Sequence, residues 1–582
     1  MTNPHFVFFE DQLANSKRLY ENPIAIVTAF APWDIKPALA RLQTYQKDGF
    51  YLAGYFAYEL GYLLEPKLHG LLPKNFKGPL LHFGVFESFT RNDLPVEDLG
   101  HIHALTPEWT RRQYLARFKK IMAYIKAGDV YQINLSFPVT GAYSGSANAL
   151  YHQLKSRQPV RYGGVISLGG ARHVTLSPEL FFETKSDTIL MRPMKGTIRR
   201  GDTPEQDIAL AKNLQSDAKN RAENLMIVDL LRNDLARLSF AGSVKVTDLF
   251  ALETFPTLHT MTSGIEARLK PDTKMHDILK ALFPCGSITG APKIRAQEII
   301  RELEPHTRGS YCGALGLMDP DGNMRFNVGI RTLTLDADGQ FTYPVGSGIV
   351  ADSQGVDEYA ECLLKAKFLH DDFTLLETIG YEHIIGFMHF ELHMARLEKS
   401  ALELGFIFDK PKAMQALAEY VQDSQGPQKV RLELSKNGPI EISHQPLTFT
   451  PFQELWPIAV SNNPVNSKNP LRLHKTNHRS FMDRELSRLA KKTGCKDVIF
   501  INEKDQVCEG SYTNIFIVKN GDMFTPPVSC GLLPGILRQV LLASGDVTEK
   551  ILSVQDLYEA DEIFIGNSAR GLIKAQLVSR DR

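Results

Sequence analysis

The chain has no excess of either charge, with 66 Lys plus Arg set against 66 Asp plus Glu over 582 residues. Without a positive surplus it has no means of gathering phosphates by counterion release, so nucleic acid is not an expected partner. Long apolar runs are missing too, none approaching the ~18 residues that span a bilayer. The start, Met1-Thr-Asn-Pro-His-Phe6, lacks the basic and apolar blocks of a leader. A cytoplasmic protein that avoids membranes is the expectation. Cysteine is scarce, and Cys285, Cys312, Cys362, Cys495, Cys508 and Cys530 form no CxxC pair, which argues against zinc and disulfides. What is present is ordinary for a packed enzyme: 43% hydrophobic and 23% charged residues.

The order of helical and strand-like segments is mixed, which predicts an α+β class. Residues 1–105 carry no recognisable chemistry and read as an N-terminal supporting lobe. Apolar residues at helical spacing run from Gln113 to Ala127, and Gly128-Asp129 turns the chain into the strand-like Val130 to Ser136. Helical patterns follow at Glu205–Leu238, Ala291–Leu303 and Val356–Leu369. A new register begins with the strand-like Phe373–Thr378, and Val430-Arg-Leu-Glu-Leu434 alternates before the turn Lys436-Asn-Gly438. The boundary is placed near residue 372, giving a catalytic domain over 106–371 and another over 372–582.

Within the first domain, Glu358 and Glu361 stand three apart on a predicted helix, and Glu223 lies on another. Residues so spaced share a face, and like charges there invite a hard cation such as Mg²⁺. An exposed acidic face is the plainer reading. Gly286-Ser-Ile-Thr-Gly-Ala-Pro-Lys293 puts small residues and Thr289 ahead of a helix whose first turn holds Pro292, where free N–H groups would face an anion. Gly346-Ser347-Gly348 allows close backbone approach, and Arg331 offers a fork for a carboxylate.

Taken together, these pieces resemble the chorismate-utilising family, which includes anthranilate synthase, isochorismate synthase and aminodeoxychorismate synthase component I. The resemblance covers roughly residues 110–370. It rests on Gly128-Asp-Val-Tyr-Gln-Ile-Asn-Leu135, Ser177-Pro-Glu-Leu-Phe181, Arg192-Pro-Met-Lys-Gly-Thr197, Glu223 to Asp234, the Thr-Gly-Ala-Pro-Lys turn, Gly346 to Ser353 and Glu358-Tyr-Ala-Glu361. It implies a β-sheet core flanked by helices and Mg²⁺ on Glu223 and Glu361 with Glu358 close by. It also implies chorismate carboxylates held by Arg331, Thr289, Gly290 and the Gly346, Ser347 and Gly348 amides, with Lys293 near the site. Lys195 sorts the family: sequences resembling aminodeoxychorismate synthase carry lysine there, where anthranilate synthases usually carry alanine. In the family mechanism it adds at C2 as the 4-hydroxyl leaves, and burial among cations is expected to help it lose its proton. Asn220 and His259 depart from the family pattern. No cysteine sits in a glutaminase elbow, so a separate glutamine amidotransferase is implied as the ammonia source.

After residue 372, Lys475 in Leu473-His-Lys-Thr476 and Glu509 in Cys508-Glu-Gly-Ser511 are the residue types that pyridoxal phosphate (PLP) needs, one for the Schiff base and one to keep the pyridine nitrogen protonated. Pro534-Gly535 opens an apolar helix whose free N–H groups suit a phosphate. With Glu377-Thr-Ile379, His393-Met-Ala-Arg-Leu397 and Gly566-Asn-Ser-Ala-Arg-Gly571, these segments resemble the fold-type IV PLP enzymes, a two-lobed α/β fold. The resemblance assigns Lys475 as Schiff-base lysine and Glu509 as pyridine partner. It makes Arg396, Ile536 and Leu537 phosphate contacts, and Asn567 or Ser568 a further phosphate or substrate contact. It also implies a homodimer through this half. The two resemblances together predict amination of chorismate followed by loss of pyruvate to 4-aminobenzoate, a precursor of folate. The alternative is an anthranilate synthase-like half fused to an aminotransferase.

Overall fold

The computed structural model describes all residues except 1–4, 75, 96–99, 202, 256–257, 370–372, 423, 425, 448–453 and 579–582, and the side chains of 103, 104 and 480. The chain forms two compact units, one from Met1–Pro95, Ile102–Tyr143 and Leu150–His370, the other chiefly from Asp371–Arg582. The expected boundary near residue 372 lies outside the described residues.

Two large sheets of antiparallel pairs make the first unit. One runs Gly290–Ala291, Gln132–Ser144, Gln340–Ile349, Thr332–Leu335, Arg172–Ser177, Tyr162–Ser167, Phe6–Asp11, Ser16–Glu21. The other runs Met194–Arg199, Leu258–Arg268, Thr188–Arg192, Leu180–Lys185, Met324–Val328, Ala314–Met318, Tyr51–Phe56, Leu81–Phe86, Ala25–Ala29. The first residues of the chain are not set apart, because Phe6–Asp11 pairs with Tyr162–Ser167 and Tyr51–Phe56 with Ala314–Met318. Residues 132–139 are buried without alternation, as a strand covered on both faces requires. Phe56, Phe83, Phe182 and Phe326 fill the core beneath the second sheet.

The helix expected over Gln113–Ala127 is Arg111–Lys126, starting two residues earlier, and is closed at its start by Thr110 and Gln113 in a reciprocal cap. The single helix expected over Glu205–Leu238 is two, Pro204–Ser216 and Ala218–Ala236. The break falls at Asp217, whose extended backbone and side chain, accepting from Asn220 N at 2.7 Å, start a new helix. Pro292 precedes the helix Lys293–Leu303 as its cap instead of lying in its first turn. Gly355–Leu364 ends before the expected Leu369, and a short 3₁₀ turn, Lys367–Leu369, follows.

The second unit has a lobe with the antiparallel order Gly386–Phe387, Leu375–Glu382, Gln428–Leu434, Ile440–Pro446, backed by helices Phe390–Leu404 and Lys410–Val421. Its core is Leu375, Ile379, Met394, Leu397, Leu417, Val430, Leu432 and Leu434. Alternation in Gln428–Leu434 puts Val430, Leu432 and Leu434 inward and leaves Arg431 exposed. The other lobe is a mixed sheet in the order Val507–Gly510, Asp497–Ile501, Trp456–Val460, Gly571–Leu577, Glu562–Asn567, Asn514–Lys519, Asp522–Thr525, Thr548–Glu549.

Candidate active sites

In the first unit Lys195 lies on the strand Met194–Arg199, which pairs with Leu258–Arg268. Its Nζ is 3.8 Å from Glu223 Oε2, and a Cβ placed on Gly348 would lie 3.4 Å from it. Lys195, Glu223 and the Gly346–Gly348 strand therefore meet at one point. The charged groups that the structure shows beside Lys195 are the carboxylates of Glu223 and Glu179, not the cations expected from the sequence. Burial raises the Glu223 carboxyl, which Lys195 and Lys219 pull back down while Asp352 and Glu358 push it up.

A second acid, Glu179, was quoted in the Ser177-Pro-Glu segment without a role. It is 3% exposed and accepts from Ser287 Oγ at 2.7 Å. Burial pushes its carboxyl up to about 7, against the pull of Ser287 and Lys195. A lone glutamate beside a strand gives no periodic signal, and Pro178 before it was the only hint.

The glycine turn is built as the sequence suggested. Gly290 has φ +146° and pairs with Ile133, and a Cβ there would run into the carbonyl of Gln132. Thr289 is buried and donates to Cys285 O at 2.8 Å, so its hydroxyl is engaged within the turn. Ser347 is also buried, 2.9 Å from Tyr114 Oη. A Cβ on Gly346 would lie 2.7 Å from Tyr311 Oη. Arg331 sits at φ +52° and no carboxylate partners its guanidinium among the described residues. Burial holds it below the ordinary arginine value, so it is a cation in want of an anion.

Two expected members are engaged by other partners. Lys293 gives its Nζ to Asp234 at 2.7 Å and to Leu282 O at 2.9 Å, and these contacts fix a helix to its neighbour. Glu361 is exposed and ion-paired with Lys365 at 2.7 Å, whose Nζ also donates to Gly346 O. The three glutamates do not form one group, and none of three or more metal-ligating side chains occurs among the described residues. His259 is structural, with Nδ1 3.0 Å from Thr254 Oγ1 and Nε2 2.8 Å from Asp207, which Arg200 also grips.

In the second unit a cavity of about 370 Å³ is lined by Lys475, Glu509, Arg396, Ile536, Asn567 and Ser568 among others. That is the size of a small-cofactor site. The Lys475 carbonyl accepts from Leu376 N at 2.8 Å, which ties the residue to the strand Leu375–Glu382. Burial, with Arg396 next, lowers its amine to about 7. Its exposed surface faces the cavity. Glu509 accepts from Leu533 N at 3.0 Å and lies 3.7 Å from Arg472.

Arg396 is fixed by Glu377 through two bonds of 2.9 and 2.7 Å and donates to Pro534 O at 3.2 Å. Glu377 also takes His393 Nδ1 at 2.6 Å, and His393 Nε2 meets Ser568 Oγ at 2.9 Å. This buried chain from Arg396 to Ser568 was not read from the sequence, although its residues lay in the quoted segments. Asn567 donates to Tyr512 O and takes the N–H groups of Ala569 and Arg570. Gly535 caps the helix Ile536–Ala543, and a Cβ on it would strike Asn514 Oδ1. Leu537 does not line the cavity, and its side chain packs toward Gly566.

Residues 92–371 match the family described as chorismate binding enzyme, and residues 374–578 match amino-transferase class IV. The chain therefore carries one segment that matches each of these two family models. Aminodeoxychorismate synthase component 1 of Escherichia coli (strain K12) is 44% identical over 271 residues, 46% of this chain and 59% of that protein. Anthranilate synthase component 1 of Streptomyces coelicolor is 40% identical over 263 residues, 45% of this chain and 51% of that protein. The chain thus spans little more than half the length of these curated relatives. The crystal structure of anthranilate synthase component I from Streptococcus pneumoniae, 25% identical, covers 63% of this chain and 92% of its own, with a TM-score of 0.54.

Proposed function

We propose that the chain makes 4-aminobenzoate from chorismate in two steps, one in each unit. The first replaces the 4-hydroxyl of chorismate by an amino group, using ammonia from a separate glutamine amidotransferase. The second expels pyruvate as the ring becomes aromatic. Lys195 carries the reading: it places a nucleophilic amine beside Glu223 and the Gly346–Gly348 strand, where anthranilate synthase-like sequences usually have alanine.

In the first unit Lys195 Nζ adds at C2 while the C4–O bond breaks, and Glu179, protonated near neutral pH, gives the leaving hydroxyl its proton as water. Ammonia then forms the bond at C4 as the C2–N bond to Lys195 breaks, and the proton that it sheds returns to Glu179. Arg331 holds a substrate carboxylate. The three-glutamate Mg²⁺ site does not fit the residues as they stand, since Glu361 is paired with Lys365. Glu223 and Glu358 would be the carboxylates left to hold the ion, and calorimetric titration of Mg²⁺ into E223Q and E358Q tests them.

In the second unit the residues fit PLP: a low-pKa amine, an opposed carboxylate and a glycine-capped helix start face one cavity. When bound, the cofactor supplies an electron sink. Lys475 then carries the proton between the ring of the substrate and the group that leaves. Glu509 would face the pyridine nitrogen. Arg396, the Ile536 N–H and Ser568 would hold the phosphate, and Asn567 would shape the loop around it; Leu537 would contribute at most its backbone N–H. We also propose a cytoplasmic homodimer through this unit, which sedimentation tests. No described helix is long and apolar enough to cross a membrane.

The test is incubation with chorismate, Mg²⁺, PLP and an ammonium salt, with the product identified by chromatography and mass. Wild type is expected to give 4-aminobenzoate and pyruvate, K475A to stop at aminodeoxychorismate, and K195A to make little of it. Anthranilate from wild type would overturn the reading and make the second unit an aminotransferase.

A further inference from the structure

The cavity of the second unit carries more positive charge than its surroundings neutralise. Arg396 is matched by Glu377, and Arg472 stands 3.7 Å from Glu509, the only carboxylate among the described residues of the lining. Arg431 and Arg479 are only partly engaged. Arg431, on the strand Gln428–Leu434, gives Nε to Glu433 at 2.6 Å. Arg479, just ahead of the helix Ser480–Thr493, gives Nη2 to the Ser511 carbonyl and lies 3.8 Å from Asp483. A guanidinium has five N–H donors, so each retains several.

The two arginines line the cavity from different elements, and their charges are among those that act on Lys475. Arg570, by contrast, is stacked over Trp456 and Tyr512, at 5.4 and 5.9 Å. We propose that Arg431 and Arg479 form a clamp in which each holds one carboxylate of the substrate, so that this site selects an amine with two carboxylates over an amine with one. The inference rests on the reading of this unit as a PLP-dependent lyase and adds the residues that choose its substrate. Planar forks match carboxylates in pairs of parallel bonds. A monocarboxylate would leave one guanidinium without its pair of charge-assisted bonds, and the discrimination comes from that loss.

The experiment uses the holoprotein with PLP, in a K195A background without Mg²⁺ or ammonia, so that the first unit is silent. Two probes are titrated while the visible absorbance of the cofactor is followed. Chorismate has both carboxylates and no amine to react, and 4-hydroxybenzoate has one carboxylate. The expected result is that R431Q and R479Q each weaken chorismate binding by about 10- to 100-fold, the effect of losing one charge-assisted contact, and 4-hydroxybenzoate binding by much less. R479K, which keeps charge but not the fork, should fall between. An unchanged cofactor spectrum in each variant shows that the fold survives. Equal weakening of both probes, or no weakening, would overturn the clamp alone. Absence of the cofactor absorbance in the parent protein would overturn the reading of the site and the clamp with it.

Discussion

Replacing Glu377 by glutamine removes one negative charge from a place where it is enclosed by Arg396 and His393. The carboxyl is 1% exposed, and although burial alone would raise it, Arg396 and then His393 pull it from 4.5 to about 2. A depression of that size corresponds to roughly 3 kcal/mol of folded-state stabilisation. Breaking a buried pair from one side costs a similar ~3–5 kcal/mol, because the partner charge stays behind. The sign follows from the depressed value: the stabilisation is present above the unfolded value near 4.5 and is lost as pH falls toward 2. Hydrogen exchange of peptides from Leu375–Glu382 and Phe390–Leu404 reads it locally, avoiding the assumption that a chain of two units unfolds in one step. In E377Q, protection should fall about 100-fold at pH 7, and the gap from wild type should narrow toward pH 4. Removing both partners in E377Q/R396M should restore much of the protection. A loss under tenfold, or a double variant no better protected than E377Q, would refute the reasoning.

Three further outcomes are expected. With a carboxyl near 7, Glu179 should give the amination rate a limb around that pH, and E179Q should remove the limb while slowing the step ~10²- to 10⁴-fold, measured as aminodeoxychorismate formed. Lys475 in the cofactor-free protein should be acylated with a midpoint near pH 7. Because the unfolded chain holds more protons between 7 and 10.5, urea unfolding of the second unit should show stability rising across that window in wild type and not in K475M. Gly535→Ala should push Asn514 aside and weaken PLP binding at least tenfold, read from the absorbance of the bound cofactor, with K475A binding as the reference for loss of the covalent link.

Much of this arrangement was legible because it is local. Glycine spacing located the Thr289-Gly290 turn and the Gly346–Gly348 strand, and apolar periodicity located Arg111–Lys126 and Lys293–Leu303. Lys475 and Glu509 were named from residue types that the chemistry needs, and Lys195 from the family resemblance of its segment. The break at Asp217 was missed because the apolar rhythm continues through it, although Asp217 with Asn220 three residues on is itself a start signal. Glu361 was assigned to a cation while Lys365, one turn later, was available to neutralise it. Long-range partners leave no mark in a single sequence. Nothing near Lys293 announces Asp234, 59 positions away, and nothing near Ser568 announces His393, 175 positions away.

The mixed sheet of the second unit has a consequence for how the chain is made. Gly571–Leu577 lies in its middle, parallel to Trp456–Val460 on one side and antiparallel to Glu562–Asn567 on the other. Trp456–Val460, synthesised more than a hundred residues earlier, and the strands paired beyond it cannot join those beside Glu562–Asn567 until this segment has left the ribosome. The order of translation is therefore not the order of assembly. Until then the edges of Trp456–Val460 and Glu562–Asn567 stand open, and a nascent chain is most exposed to mispairing with its neighbours on the same message.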